Sequence, residues 1–255
     1  EVTVIEHMDR VGKKILSTGN GRCNLTNHCI SPDKYVGSFK KQSKKIFERF
    51  SGDEMANIFK NFGLLSFYDN EGRYYPISKH AASVLDVLRL QVETLGIDVF
   101  TEQNVNSIKK VSNGFKISSD DSEKKYDFIC NKLVIANGSK AAPKLGGNAS
   151  AIDYLKNFGH KVVSFSPALC PVKVKSDVLK TLKGLRVTGK AQLYGEHGRL
   201  IKEETGEIQF TENSLSGICV FNLSLFAKQN DKIVLDLLPD YSENELIKII
   251  RQHIS

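Results

Sequence analysis

The residues best suited to chemistry lie in one run, Ser17-Thr18-Gly19-Asn20-Gly21-Arg22-Cys23-Asn24-Leu25-Thr26-Asn27, preceded by Lys13 and Lys14. Glycines at 19 and 21 let the backbone come close to a ligand. Lys13, Lys14 and Arg22 bring positive charge to the same place, and Asn20, Asn24, Thr26 and Asn27 add short hydrogen-bonding side chains. Such a loop suits an anion or a phosphate-bearing cofactor, and the plain alternative is a polar turn, where Gly and Asn serve the backbone alone. Cys23 reads either as a thiol activated by Arg22 or as a small packed residue, and a free Cys behaves as a buried small hydrophobe in most settings.

Two further stretches add to this loop. Val2-Thr3-Val4-Ile5 is an apolar strand that ends in Glu6, which reads either as an acid accepting hydrogen bonds from a ribose, as at the end of the second strand of a dinucleotide-binding unit, or as one of the many ordinary strands that end in Glu. Leu133-Val134-Ile135-Ala136-Asn137-Gly138-Ser139 reads as a buried strand running out into small residues, which lets a ligand lie against the sheet edge, or as a plain strand exit. No residue presents itself as catalytic acid or base: His80 opens a helix and His160 follows a helix-ending Gly, so local structure explains both.

The elements around these stretches are legible from periodicity. Helical patterns end near Phe50 and at Gly63, and Ala81, Val84, Leu85, Leu88, Val92 and Leu95 mark a longer helix closed by Gly96. Strands are expected at 97–100, 105–111, 115–118, 126–130 and 133–136, with Ser112-Asn113-Gly114 as a hairpin turn. A short helix carries Ile152, Leu155 and Phe158, and a strand is expected at 161–165. From Pro167 to Pro239 the pattern is strands and Gly-containing turns with hardly any helical period, so a domain boundary belongs near Pro167. Gly12 to Asn27 reads as loop throughout.

Composition narrows the function. The 255 residues carry 36 Lys+Arg against 29 Asp+Glu, a formal charge of +7, and five Cys without a Cys-x-x-Cys pair. That predicts a soluble cytoplasmic protein with reduced thiols, without a disulfide framework, metal site or membrane span. Lys34, Lys40, Lys41, Lys44, Lys45 and Arg49 concentrate the basic charge, and Ile46, Phe47 and Phe50 share their segment at helical spacing, so the lysines form the wet face of an amphipathic helix. The chain opens on a strand already under way. Its last helix starts cleanly at the capping box Ser242-Glu243-Asn244-Glu245 and runs to Ser255 without a stop signal, so the sequence is expected to be internal to a longer protein.

Together these stretches resemble the BaiN/YhiN-type flavoproteins, FAD-dependent oxidoreductases that include the aminoacetone-oxidase-like enzymes. The Ser17 to Asn27 run is similar to that family's signature. Further matches follow in order: Glu71-Gly72-Arg73-Tyr74-Tyr75-Pro76, Leu133 to Ser139 with Pro143-Lys144-Leu145-Gly146, Gly159-His160, and Pro167-Ala168-Leu169-Cys170-Pro171. Gly206-Glu207-Ile208-Gln209-Phe210-Thr211, Leu215-Ser216-Gly217 and Leu237-Leu238-Pro239-Asp240 complete them, so the resemblance spans essentially the whole chain.

The resemblance implies an α/β fold, a Rossmann-like FAD/NAD(P)-binding domain with an inserted β-barrel-like domain. Residues 1–166 would be the partial FAD domain without its N-terminal Gly-x-Gly-x-x-Gly unit, 167–240 the inserted β-rich domain, and 241–255 the start of a helical insertion. Glu6 would hold the adenosine ribose, Lys14 and the loop Gly19, Asn20, Gly21, Arg22, Cys23, Asn24 would follow pyrophosphate and flavin, Val105 would meet adenine through its backbone, and Ala136, Asn137 and Gly138 would pass near the cofactor. Asn137 stands where the family usually has Thr, and Asn20 where it usually has Gly. The implied reaction is hydride transfer through flavin N5 on a small-molecule substrate, with NAD(P)H or oxygen as second partner and no nucleic acid. A chain lacking the phosphate-binding turn is expected to hold FAD weakly or not at all. A non-catalytic folded fragment, or an anion- or nucleic-acid-binding module using the basic helix 34–49, stands as the alternative.

Overall fold

The structure is a computed structural model that describes residues 1–37 and 39–254; Ser38, Ser255 and the side chains of Lys41 and Ile254 lie outside the described residues. It divides into two compact units, Glu1–Val163 and Ser164–Ser255.

In the first unit, β1 (Thr3–Ile5) is followed by α1 (Lys13–Ser17), α2 (Lys40–Arg49), α3 (Gly52–Asn61), the hairpin of β2 (Ser66–Tyr68) and β3 (Tyr74–Pro76), and α4 (Ala81–Thr94). Then β4 (Asp98–Phe100) returns parallel to β1, in register from Thr3↔Asp98 to Ile5↔Phe100. Parallel strands need a crossover between them, and α4 lies on that connection. Its residues Ala81, Val84 and Leu85 are buried because they repeat at three and four positions. Ala81 and Val84 pack with Cys23 and Leu64, and Ile15 and Leu16 of α1 lie against the same cluster. The meander β5 (Asn104–Val111), β6 (Gly114–Asp120) and β7 (Lys125–Cys130) is antiparallel, and α5 (Ala151–Asn157) closes the unit.

Three sequence expectations change here. Lys13–Ser17 is helical rather than loop. Residues 133–136 are not a strand, and neither are 161–165. A strand exists only if a neighbour takes its alternating N–H and C=O groups, and among the described residues nothing pairs with either stretch. Val134 is 86% exposed and Val163 81%, so their apolar pattern finds no burial among the described residues.

The second unit is built on a five-stranded antiparallel sheet. It contains β8 (Val172–Lys173), α6 (Val178–Thr181), β9 (Arg186–Tyr194), β10 (Leu200–Phe210), β11 (Ser214–Ser216), α7 (Ile218–Ser224), β12 (Lys232–Asp236) and α8 (Glu243–Ile254), with sheet order β12-β9-β10-β11-β8. Among the described residues the sheet is open, with β12 and β8 at its edges. Ala191 and Leu193 from β9 and Ile208 and Phe210 from β10 point to one face by strand alternation, and Val220 and Leu223 of α7 cover them. Helices α6 and α7 correct the expectation of an almost helix-free stretch. Both are too short to display a helical period, and they form because the sheet offers α7 an apolar face. The Ser242 capping box is present: Ser242 N–H donates to Glu245 Oε2 at 2.8 Å and Glu245 N–H to Ser242 Oγ at 3.4 Å.

Candidate functional site

The loop 18–24 folds on itself. Cys23 N–H donates to the Thr18 carbonyl at 3.0 Å, Arg22 N–H to the Gly19 carbonyl at 3.2 Å, and Arg22 Nε to the same carbonyl at 3.3 Å. Gly19 (φ 55°, ψ 34°) and Asn20 (φ 55°, ψ 46°) are both left-handed. That accounts for the Asn found where the resembling family has Gly, because Asn tolerates this conformation best among residues with a side chain. A Cβ on Gly19 would stand 2.7 Å from the Asn24 backbone nitrogen, so the loop closes only with Gly there. Cys23 is buried in the α4 cluster, which supports the packed reading of this thiol. The Arg22 guanidinium lies 4.6 Å from the centre of the Tyr75 ring and stays exposed.

Lys14 leaves α1 toward the segment after residue 133. Its ammonium donates to the Ala141 carbonyl at 3.4 Å, and a Cβ on Gly138 would find it as nearest neighbour at 4.0 Å. The fold thus brings Lys14 and Gly138 together across 124 positions of sequence separation. Asn137 Nδ2 donates to the Asn148 carbonyl at 3.0 Å and ties the segment to its own return, while Ala136 is exposed beside it. A Cβ on Gly21 would meet nothing within 4 Å, so the backbone at Gly21 and Gly138 borders open space with Lys14 near the latter.

Glu6 sits where β1 ends. Its N–H donates to the Phe100 carbonyl at 2.9 Å, and its Oε1 accepts from Met8 N–H at 2.9 Å and lies 3.0 Å from His7 Nδ1. Val105 is in β5, paired with Ser119, at a bulge where the register shifts between Val105 and Ser107. A bulge leaves ladder groups unpaired, which suits a strand whose backbone meets a ligand.

A cluster that the sequence reading passed over joins the far side of the loop to α3. Residues 25–28 run beside 72–74: Leu25 N–H donates to the Tyr74 carbonyl, Tyr74 N–H to that of Thr26, and His28 N–H to that of Gly72. Gly52 starts α3 against the Asn27 carbonyl, a contact that any Cβ would block. Asp53 Oδ1 then accepts from Tyr74 Oη at 2.9 Å and pairs with His28 Nδ1 at 2.7 Å. His28 in turn stacks on Tyr68, with ring centres 4.6 Å apart. The His28 and Tyr74 hydrogen bonds hold the Asp53 carboxyl below its ordinary range. Tyr74 and Tyr75 face opposite ways, as neighbours on a strand must, so Tyr75 meets Gly19 and Arg22 while Tyr74 meets Asp53. The Ser51-x-x-Glu54 capping box, which starts α3 and places Asp53 in its first turn, was the signal available in the sequence.

Burial and the Asp53 bond push the Tyr74 phenol up to about 12. A raised pKa means the folded state keeps a proton that the unfolded chain releases from its ordinary value of 10.0. Stability from this group is therefore complete below pH 10 and is lost as pH rises toward 12. Spectrophotometric titration should show one of the eight tyrosines ionising near pH 12, and Tyr74→Phe should remove that component. An unchanged titration curve in the variant would refute this assignment.

A cavity of about 850 Å³ shares no residue with the loop; it lies between α2 and the turn before it, lined by Pro32, Asp33, Lys40, Lys44 and Phe47. Lys40 pairs with Asp33 at 2.7 Å and Lys44 approaches Glu48 at 3.9 Å, so acids answer part of the basic run locally. Among the described residues no cluster of three His, Cys, Asp or Glu side chains could hold a metal, and no helix is long and apolar enough to cross a membrane.

The model of the HI0933-like protein Rossmann domain matches residues 1–224. The chain belongs to the HI0933-like family. It is 32% identical to the 3-dehydro-bile acid delta(4,6)-reductase of Clostridium scindens, over 100% of this chain and 62% of the relative. It is 26% identical to the ribosomal RNA dihydrouridine synthase of Escherichia coli, over 94% of this chain and 58% of that protein. The Haemophilus influenzae protein of the same name is 24% identical, over 98% of this chain and 62% of its own length. The chain thus spans about three fifths of the curated relatives it matches, and the parallel β1–β4 pair and the loop 18–24 between those strands lie within the matched Rossmann domain.

Proposed function

We propose that the protein to which this chain belongs is an FAD-dependent oxidoreductase acting on a small molecule, with NAD(P)H or oxygen as the second redox partner. The observation that carries this reading is the left-handed loop at Gly19 and Asn20, with exposed Arg22, and the open backbone at Gly138 with Lys14 beside it. Anion recognition needs donors and positive charge around backbone that a ligand can approach, and both are there. Membership in a family whose matched domain is of Rossmann type, and a relative named as a reductase, support the redox assignment.

In this reading Glu6 accepts from the ribose hydroxyls, Val105 meets adenine through its backbone, and Lys14 with residues 19–24 lines the pyrophosphate and flavin. Ala136, Asn137 and Gly138 form the opposite wall. FAD, when bound, supplies hydride chemistry at N5; the chain's own residues bind it, orient it and keep water out.

The test is colour. Purified without added cofactor, the full-length protein should show the flavin absorption bands, whereas the 255-residue chain, which contains no Gly-x-Gly-x-x-Gly turn, should be colourless or nearly so. A full-length protein that is colourless after native purification and does not take up added FAD would sink the flavoenzyme reading.

A further inference from the structure

Gln103 is a polar residue that no role above uses, and it is 3% exposed. Burying an amide is costly unless its hydrogen bonds are met, and here they are. Its N–H donates to the Glu6 carbonyl at 3.0 Å. Its Oε1 accepts from Ser119 Oγ at 2.7 Å, and Ser119 is itself 1% exposed. Its Nε2 donates to Asp121 Oδ2 at 3.3 Å. The backbone of Gln103 thus holds the end of β1, while its side chain holds β6.

The partners of Gln103 define its position. Ser119 is the residue paired with Val105 across the β5–β6 ladder, at the bulge. One residue therefore links Glu6, through its backbone N–H, to the strand opposite Val105, through its side chain, and Glu102 N–H, donating to the Met8 carbonyl at 2.9 Å, braces the same junction. Without the Gln103 side chain the meander would still be joined to this end of the β1–β4 pair by the Gln103 and Glu102 backbone bonds and by Phe100 packing on Tyr126 and Phe128; what would be lost is the polar tie from residue 103 to β6 beside Val105.

We infer that Gln103 is a positioning residue that sets the distance between the ribose-binding Glu6 and the adenine-binding backbone of Val105, so that this chain reads the adenylate half of a dinucleotide through the Gln103–Ser119 pair. The inference rests on the FAD reading, and its ligand is the adenosine end of the cofactor. Gln103 is not itself a ligand contact in this reading; it acts through Glu6, which its N–H holds, and through the strand opposite Val105.

The experiment uses the full-length protein stripped of flavin, with AMP and FAD as probes. Gln103→Leu removes both side-chain bonds, and Ser119→Ala removes one without altering the β1 junction, so it carries the test if Gln103→Leu fails to fold. Each should weaken AMP and FAD binding about tenfold, the scale of ~1.4 kcal/mol, while the visible spectrum of the FAD-saturated variant overlays that of the wild type. A merely structural role would disturb the flavin spectrum together with affinity, because loosened packing does not select the adenine end. AMP and FAD affinities within twofold of wild type in the folded variants, or a flavin spectrum that shifts along with the affinity, would overturn the positioning role and leave the flavoenzyme reading standing. A wild-type protein that binds neither AMP nor FAD would overturn both.

Discussion

On the proposed FAD reading, Gly19→Ala should cost the full-length protein most of its FAD affinity, at least about a hundredfold, ~2.7 kcal/mol. Two effects add. The left-handed backbone (φ 55°, ψ 34°) costs a residue with a Cβ roughly 1–2 kcal/mol. The added methyl would also lie 2.7 Å from the Asn24 backbone nitrogen, an atom without rotamers to retreat into. The loop must open there, and with it go the bonds from Arg22 and Cys23 to the Gly19 and Thr18 carbonyls that close it. Asn20→Gly separates backbone from side chain: its backbone is equally left-handed, so glycine relieves strain there, and FAD affinity should fall far less than in Gly19→Ala, by the loss of the Asn20 side chain alone. Equilibrium dialysis with flavin fluorescence reads both. A Gly19→Ala protein that retains FAD as tightly as the wild type would show that this loop does not face the cofactor.

Leu193→Ala should destabilise the second unit by about 3 kcal/mol. Leu193 is fully buried at 0% exposure and packs with Ile208, Phe210, Val220 and Leu223 between the sheet and α7. Truncation removes apolar contact and leaves a cavity that β9 cannot collapse into, because its backbone is paired on both sides, with β10 and β12. Leu193→Met, which keeps the volume, should cost less than about 1.5 kcal/mol. Urea denaturation of the 255-residue chain followed by far-ultraviolet circular dichroism measures the difference. A midpoint for Leu193→Ala equal to that of Leu193→Met would mean the sheet and α7 do not enclose this side chain as described.

The readable parts of the chain were those whose signal is local. Helix α4 follows from the spacing of Ala81, Val84 and Leu85, and its end from Gly96 with its positive φ. The Ser242 box holds, and so does the hairpin expected at Ser112-Asn113-Gly114, with Gly114 already the first residue of β6 and paired with Val111, for the same reason: capping and turn geometry involve residues within three or four positions of each other. The loop at 17–27 was legible because its residue types are unusual together. The stretch 133–136 was misread because apolar runs record an expectation of burial without naming the neighbour, and a strand is a property of two segments.

Residue order alone was enough to establish a Rossmann-type flavoprotein resemblance, the glycine-bearing cationic loop, and Glu6 at the end of a strand. Folding in three dimensions was needed to bring Lys14 to Gly138 and Ala141, to set Tyr75 on the loop and Tyr74 on Asp53, to bury Cys23, and to make Gln103 the link between Glu6 and the strand opposite Val105. The division has a physical cause. Backbone preference and capping act over a few residues and are written in local order, whereas hydrogen bonds between distant side chains exist only after burial has chosen which distant segments meet.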